Sequence, residues 1–243
     1  MTAVRTAATT GRVLGQLRND PRTIGLMLVV PSVLMGLLAW ILPQQGFDQF
    51  GPALLGIFPL IVMFLVTSVA TLRERASGTL ERLLSMPIGK SDFVLGYAAA
   101  FGIFAIAQAL IVYGLSFGVY GLDVLGSPWL LLLVTVVDAL LGTALGLFVS
   151  AFATTEFQAV QFMPALILPQ LLLCGLIVPR DELPTALRLL SDLLPMSYAV
   201  DATQQVITST EVTSVYWSSL AIVAGFMVVS LGLGAATLRR RTP

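Results

Sequence analysis

Six apolar stretches separated by short polar breaks dominate the chain, at roughly 23–42, 52–72, 93–119, 129–152, 159–178 and 216–238. Each matches or exceeds the ~20 mostly apolar residues that a helix needs to cross a bilayer core. The pattern predicts an all-α, polytopic membrane protein, with residues 1–243 forming a single transmembrane domain of six spans. Pro31 lies inside the first span, and Pro164 with Pro169 is expected to kink the fifth. Residues 1–22 carry Arg5, Arg12 and Arg18 and lack the early apolar core of a signal peptide. They read as a retained, short interfacial helix leading into the membrane. Short loops are predicted around Asp48 and Asp123. The longer segment 179–215 is semi-apolar, with Leu187, Leu190, Leu193 and Leu194 at helical spacing between Pro184 and Pro195. One or two short helices at the outer interface fit it better than a free loop.

Composition excludes a soluble domain. The chain is 57% hydrophobic and 11% charged, with a mean hydropathy of +0.93, whereas soluble domains run near ~45–50% apolar and ~25% charged. Histidine is absent and Cys174 is the one cysteine, so neither an intrachain disulfide nor a Cys/His metal site can form.

Net charge is zero, but its distribution is not even. Arg5, Arg12, Arg18 and Arg22 precede the first span; Arg73, Arg75, Arg82 and Lys90 lie between the second and third; Arg239, Arg240 and Arg241 follow the sixth. These are 11 of the 13 basic residues, leaving only Arg180 and Arg188 for the other side. The positive-inside rule then places both termini in the cytoplasm of a multi-pass protein of the cell (plasma) membrane.

The polar break "RERASGTLERLLSMPIGKSD", residues 73–92, holds four of those basic residues. Within it Leu80, Leu83 and Leu84 fall on one helical face, while Glu81 and Arg82 face away. Gly78 is an acceptable N-cap and Pro87 a stop, giving a helix of about two turns, roughly 12 Å long. A helix that short needs something to pack on. A docking helix and an ordinary positively charged loop both remain open on these grounds. Gly89-Lys90-Ser91 mimics the tail of a phosphate-binding loop, yet Leu84 stands where its first glycine belongs and a membrane span follows directly. A nucleotide site here is rejected.

Asp138 sits nine residues into the fourth span, where a carboxylate costs roughly 2.5–3.5 kcal/mol. It either faces a substrate path together with Gln108 and Tyr113, or accepts hydrogen bonds from Thr135, Gln108 or Tyr113 as glue between helices. Glu156 opens the fifth span, where it suits the helix dipole. Gly142 and Gly146 have the small-xxx-small spacing that lets helices approach closely, within the subunit or at a dimer interface.

Together, "RERASGTLERLLSMPIGKSDFVLG" and "LGLFVSAFATTEFQAVQFMPALILPQLLLCGLIVPRDELPTALRLLSDLLPMSYAVDA" resemble the permease subunits of type-2 ABC transporters, in the drug-export-like branch. In the first, Glu74, Gly78, Thr79, Leu80, Glu81, Leu83, Leu84, Pro87 and Gly96 match the family pattern; in the second, Gly175, Pro179, Pro184, Leu194, Pro195 and Tyr198 do. Many members carry an arginine shortly after that tyrosine, where this chain has Asp201-Ala202-Thr203-Gln204. The resemblance implies a transport subunit that is not an enzyme and binds no cofactor, with ATP and Mg held by a separate ABC ATPase. It implies that the stretch 73–92 includes a cytoplasmic coupling helix. Glu74, Gly78, Thr79, Leu80, Glu81, Arg82, Leu83 and Leu84 would then dock into the ATPase. A second permease subunit, identical or related, would complete an exporter of small amphipathic, drug- or lipid-like compounds, with no nucleic-acid partner. The alternative is a self-contained secondary transporter or channel, which would usually show several intramembrane charges or an inverted repeat. A membrane tether or an intramembrane enzyme is a weaker fit, the latter because the spans hold no catalytic constellation.

Overall fold

A computed structural model describes residues 2–76 and 89–237. Its helices are α1 (Thr2–Arg18), α2 (Pro21–Ile41), α3 (Gln44–Ala76), α4 (Lys90–Gly118), α5 (Pro128–Ser150), α6 (Glu156–Leu173), α7 (Thr185–Ser191), α8 (Pro195–Thr208) and α9 (Ser214–Thr237), with a 3-10 turn at Arg180–Glu182. Among the described residues there is no strand, and α2, α3, α4, α5, α6 and α9 are each long and apolar enough to span a membrane. The chain is therefore an all-α, multi-pass membrane protein.

Local chemistry sets most boundaries. Asp20 caps α2 by accepting the Thr23 N–H, with Pro21 at the first helical position. Pro128 and Pro195 likewise take the opening positions of α5 and α8, there without a side-chain cap. Thr155 caps α6 by accepting the Gln158 N–H at 3.2 Å. Gly89 precedes α4, and its N–H donates to the Asp92 carboxylate at 3.1 Å. The Gly-Lys-Ser triplet is thus spent on starting a span.

Two elements depart from the sequence pattern. The second apolar stretch was expected to begin near residue 52, yet α3 starts at Gln44 and Asp48 lies inside it rather than in a loop. Gly51 and Pro52 look like breakers, but both are buried within a continuous helix that Asp48 itself anchors. Its carboxylate accepts from Gln44 at 3.0 Å and from the Asp123 N–H at 2.9 Å, fastening this end to the loop after α4. The fifth stretch was expected to run to residue 178, but α6 stops at Leu173. Gly175 takes φ +91°, a left-handed conformation that ends the helix.

The centre of the bundle is the α3–α5 pair. In α3 67% of the apolar stretch is buried and in α5 61%, against 17% in α6 and in α9. A methyl placed on Gly142 would lie 2.3 Å from the Leu60 carbonyl oxygen, and one on Gly146 would lie 2.6 Å from that of Phe64. The two glycines of α5 therefore let its backbone touch that of α3. The contacts advance in the same direction along both helices, from Gly56 against Asp138 to Phe64 against Gly146, so the pair is parallel. This packing lies within the subunit. Around it α4 adds Phe93, Tyr97, Phe101 and Ala105 to a core shared with Met27, Met63 and Leu147. α1 lies across the start of α4, burying Thr9, Val13 and Leu17. The Thr10 hydroxyl donates to the Gly96 carbonyl at 3.2 Å, close enough that a methyl on Gly96 would meet Thr9 at 2.6 Å. At the opposite end, α8 buries Met196, Ala199, Val200, Ala202 and Val206 against the bundle, while Leu190 and Leu193 of the α7 region stay exposed.

Gly142→Val should push α5 off α3 and destabilise the protein by about 1–3 kcal/mol, as overpacking does. Gly225→Val, with nothing near its added carbon, should be close to neutral. Thermal unfolding of the two detergent-solubilised variants, followed by loss of monodisperse protein, tests the difference.

Candidate functional site

The basic end of the bundle holds the most connected polar site. Three successive residues at the end of α3 each grip a different element. Arg73 makes a bidentate pair with Glu156 at the start of α6, its Nε donating at 2.7 Å and its Nη2 at 2.9 Å. Glu74 accepts from Arg12 of α1 at 2.5 Å. Arg75 donates to the Ser150 and Ala151 carbonyls, the open end of α5. Helical geometry explains the divergence: successive residues point about 100° apart, so one turn can address three neighbours. Arg75 also places positive charge on the carbonyl-rich terminus of α5, where a helix dipole favours it.

These contacts differ in weight. Arg73 and Glu156 are 59% and 53% exposed, so solvent screens the pair. Arg12 and Glu74 are 28% and 13% exposed, and Arg12 also donates to the Tyr97 hydroxyl at 2.9 Å and lies 5.7 Å from its ring centre. Burial alone would lower the Arg12 pKa, but Tyr97 and Glu74 more than offset it and the guanidinium stays charged. Asp20 faces the same region. The Thr23 hydroxyl, then the Thr23 N–H, hold its carboxyl below the usual range, with Arg73 adding to the effect.

Glu74 is thus engaged with α1. The other docking residues expected from the sequence, Gly78, Thr79, Leu80, Glu81, Arg82, Leu83 and Leu84, lie outside the described residues. The chain nevertheless enters that segment directly from the Arg73-Glu74-Arg75 turn.

Among the described residues no hydrogen bond joins Gln108 or the Asp138 Oδ1 to another of the three residues considered for a substrate path. Asp138 is 2% exposed and wedged against α3, its Oδ2 standing where a methyl on Gly56 would be, 2.4 Å away. Its Oδ1 has no hydrogen-bond partner among the described residues. Gln108 of α4 is fully buried, and neither end of its amide is partnered among the described residues. Tyr113 packs nearer the opposite end, 4.7 Å from Phe117 and 6.1 Å from Trp129 between ring centres. The hydroxyl of Thr135 donates to the Leu131 carbonyl rather than to Asp138.

A second polar cluster closes the opposite end. Arg180 pairs with Asp192 and Asp201, and its guanidinium lies 5.3 Å from the Tyr198 ring. Tyr198 in turn donates to the Asp192 carbonyl at 2.8 Å. Asp201, which departs from the resemblance noted above, therefore has a partner in Arg180, a residue the sequence had marked only for topology. Burial raises the Asp201 pKa despite that partner.

Glu74→Ala should strand the half-buried Arg12 charge and cost about 2 kcal/mol, somewhat below the range for fully buried pairs. Arg73→Ala should cost under ~1 kcal/mol. Unfolding temperatures of the two variants should fall in that order, with the drop for Glu74→Ala roughly 4–8 °C.

Comparison with known proteins accords with this geometry. A family model described as ABC-2 type transporter matches residues 6–208. The chain is 29% identical over 182 residues to the "Probable multidrug ABC transporter permease YbhR" of Escherichia coli (strain K12), covering 74% of this chain and 50% of that protein. It is 24% identical over 191 residues to "Probable multidrug ABC transporter permease YbhS" of the same organism, covering 78% and 51%. With "Nodulation protein J" of Rhizobium leguminosarum bv. viciae it shares 25% over 173 residues, or 70% and 64%. The chain spans about half the length of the first two of these relatives. With six apolar helices in its structure and a family match over most of its length, the chain belongs to the ABC-2 type transporter family, among its membrane permeases.

Proposed function

We propose that this chain is the membrane-spanning subunit of an ABC exporter. It would move a small amphipathic compound out of the cytoplasm on the energy of ATP hydrolysed, with Mg, by a separate ATPase subunit. Both termini and the basic end of the bundle face the cytoplasm of the cell membrane, in keeping with the distribution of Lys and Arg. A second permease subunit, identical or related, completes the transporter. The names of the relatives support the multidrug reading, and the short connections at the far end, without a folded domain, suit a small cargo.

The observation that carries the reading is the junction at the end of α3. Residues 77–88 follow directly in the chain on a turn whose side chains hold α1, α5 and α6. In this proposal Leu80, Leu83 and Leu84 anchor the segment in the ATPase, with Glu81 and Arg82 setting its register. A displacement imposed there by ATPase closure reaches three elements at once through α3. Rigid movement of packed helices between two arrangements is the response such a bundle can give. Gln108 and the Asp138 Oδ1, buried in the bundle without hydrogen-bond partners among the described residues, are the groups for which a change of helix packing would matter most electrostatically.

Two variants separate docking from transmission. Leu83→Asp should abolish co-purification of the ATPase while leaving insertion intact. Arg75→Ala should retain the complex and its ATP hydrolysis, yet lower ATP-driven transport into inverted vesicles about tenfold, corresponding to ~1.4 kcal/mol in the coupled step. Undiminished ATPase recovery with Leu83→Asp would sink the docking assignment. A wild-type protein that never recovers an ATPase would point to a secondary transporter or channel.

A further inference from the structure

The three tryptophans of the chain, Trp40, Trp129 and Trp217, are all exposed and all lie at the end of the bundle away from the basic face. Trp40 is the last residue but one of α2, and Trp129 follows Pro128 at the start of α5. Trp217 is in the first turn of α9, where the neighbouring Tyr216 hydroxyl donates to the Leu130 carbonyl at 2.8 Å. Such a ring of tryptophans marks a membrane–water boundary. α8 begins inward of it. The last turn of α8 is at the boundary, because the Gly126 N–H, just before α5, donates to the Val206 carbonyl at 2.8 Å. Its first turn lies deeper: the Met196 N–H donates to the Gln170 side chain of α6 at 3.4 Å, and Met196 shares a cluster with Leu60 and Leu141. Asp201 stands five residues before Val206, which at 1.5 Å per residue puts it about 8 Å inward of the tryptophans.

The two sides of α8 differ in chemistry. Met196, Ala199, Val200, Ala202 and Val206 are buried against the bundle. On the other side Tyr198, Asp201, Gln205 and Thr208 repeat at intervals of three and four, with Gln204 beside them, and each is at least partly accessible. This polar stripe runs from the Arg180–Asp192–Asp201 cluster outward to the boundary, where the polar turn Ser209-Thr210-Glu211 continues it. Within the cluster the side chains of Asp192 and Asp201 are 46% and 33% exposed. Leu133 of α5 is exposed at a matching depth, five residues in from Pro128, and there the surface is apolar. Carboxylates at such a depth turn to water or to protein rather than to lipid. The unbroken polar stripe from Tyr198 to the boundary favours water.

We infer that α8 lines a water-filled recess that opens at the tryptophan-rich end and is floored by the Arg180, Asp192 and Asp201 ion pairs. Its outward sense rests on the proposed orientation of the permease. In the exporter reading it is the place where cargo passes from hydrocarbon to external water.

Labelling with a membrane-impermeant thiol reagent tests the recess in the full chain, with any ATPase that accompanies it. Cys174, fully buried, is first replaced by alanine. Tyr198→Cys, Asp201→Cys, Gln204→Cys, Leu133→Cys and Val4→Cys are then introduced singly, Val4 being exposed on α1 at the basic end. Right-side-out and inverted vesicles are treated with trimethylammonium-ethyl methanethiosulfonate. The three α8 cysteines should react from the side opposite to Val4→Cys, and at least about tenfold faster than Leu133→Cys in its lipid setting. Tyr198→Cys leaves both aspartates in place, so it reports the floor even if Asp201→Cys fails to fold. Absence of labelling at Tyr198→Cys in monodisperse protein, labelling from the Val4 side, or a rate at Leu133→Cys equal to those on α8 overturns the inference. Labelling of Val4→Cys from outside intact cells, with the α8 cysteines reacting from the other side, would instead count against the proposed orientation alone.

Discussion

The contact between α3 and α5 is the constraint on which the remaining architecture depends. Membrane helices gain little from the hydrophobic effect against one another, so close packing must hold them together. Gly142 and Gly146 supply it by removing side chains where the Leu60 and Phe64 carbonyls arrive. Because the two helices run in parallel, their ends at the basic face coincide. Arg75 can therefore reach the last carbonyls of α5 from the last turn of α3. The α5 arm of the polar junction depends on the glycine contact, which brings the Ser150 and Ala151 carbonyls within reach of Arg75.

The same constraint gives Asp138 its position. It lies one helical turn before Gly142, and the missing side chain of Gly56 makes room for its carboxyl group. Close approach and the buried acid are thus parts of one interface, a run of small or accommodating residues at Gly56, Asp138, Gly142 and Gly146. An acid in so tight a seam has a different chemical setting from one lining an open path. A change in its surroundings requires α3 and α5 to shift relative to one another.

Much of this was legible in the sequence, for reasons that can be stated. The spans follow from apolar length, and the glycine spacing on α5 announced a close helix contact. The leucine spacing after Pro184 announced short helices, whereas the cap at the start of α4, where Gly89 and Asp92 cooperate, was not read from the sequence. The early start of α3 was hidden because Gly51 and Pro52 are locally breakers, and only packing against neighbours overrides that preference. Arg12 and Glu74 are 62 residues apart, and nothing near either one signals the other. Arg180 and Asp201 are a similar case: the acid stood out as a departure from the resemblance, while its partner lay in a different element. Long-range ion pairs leave no periodic trace along a chain, so a single sequence shows the charges but not their pairing.

How the elements are fastened suggests how strain would divide. α3 and α5 meet backbone to backbone, a contact that tolerates little deformation because close-packed interfaces switch between arrangements rather than stretch. By contrast, the first turn of α6 is tied to α3 by an ion pair more than half exposed on both sides, which costs little to break. α1 is intermediate, held by a partly buried pair and by its packing across α4. A force entering at the end of α3 would therefore move α3 and α5 as one body and alter α6 first. α6 and α3 also line a cavity at the basic end that lies between them and α1, α2 and α4. The element most easily displaced is thus a wall of that cavity, and its movement would change the cavity's shape as it transmits force.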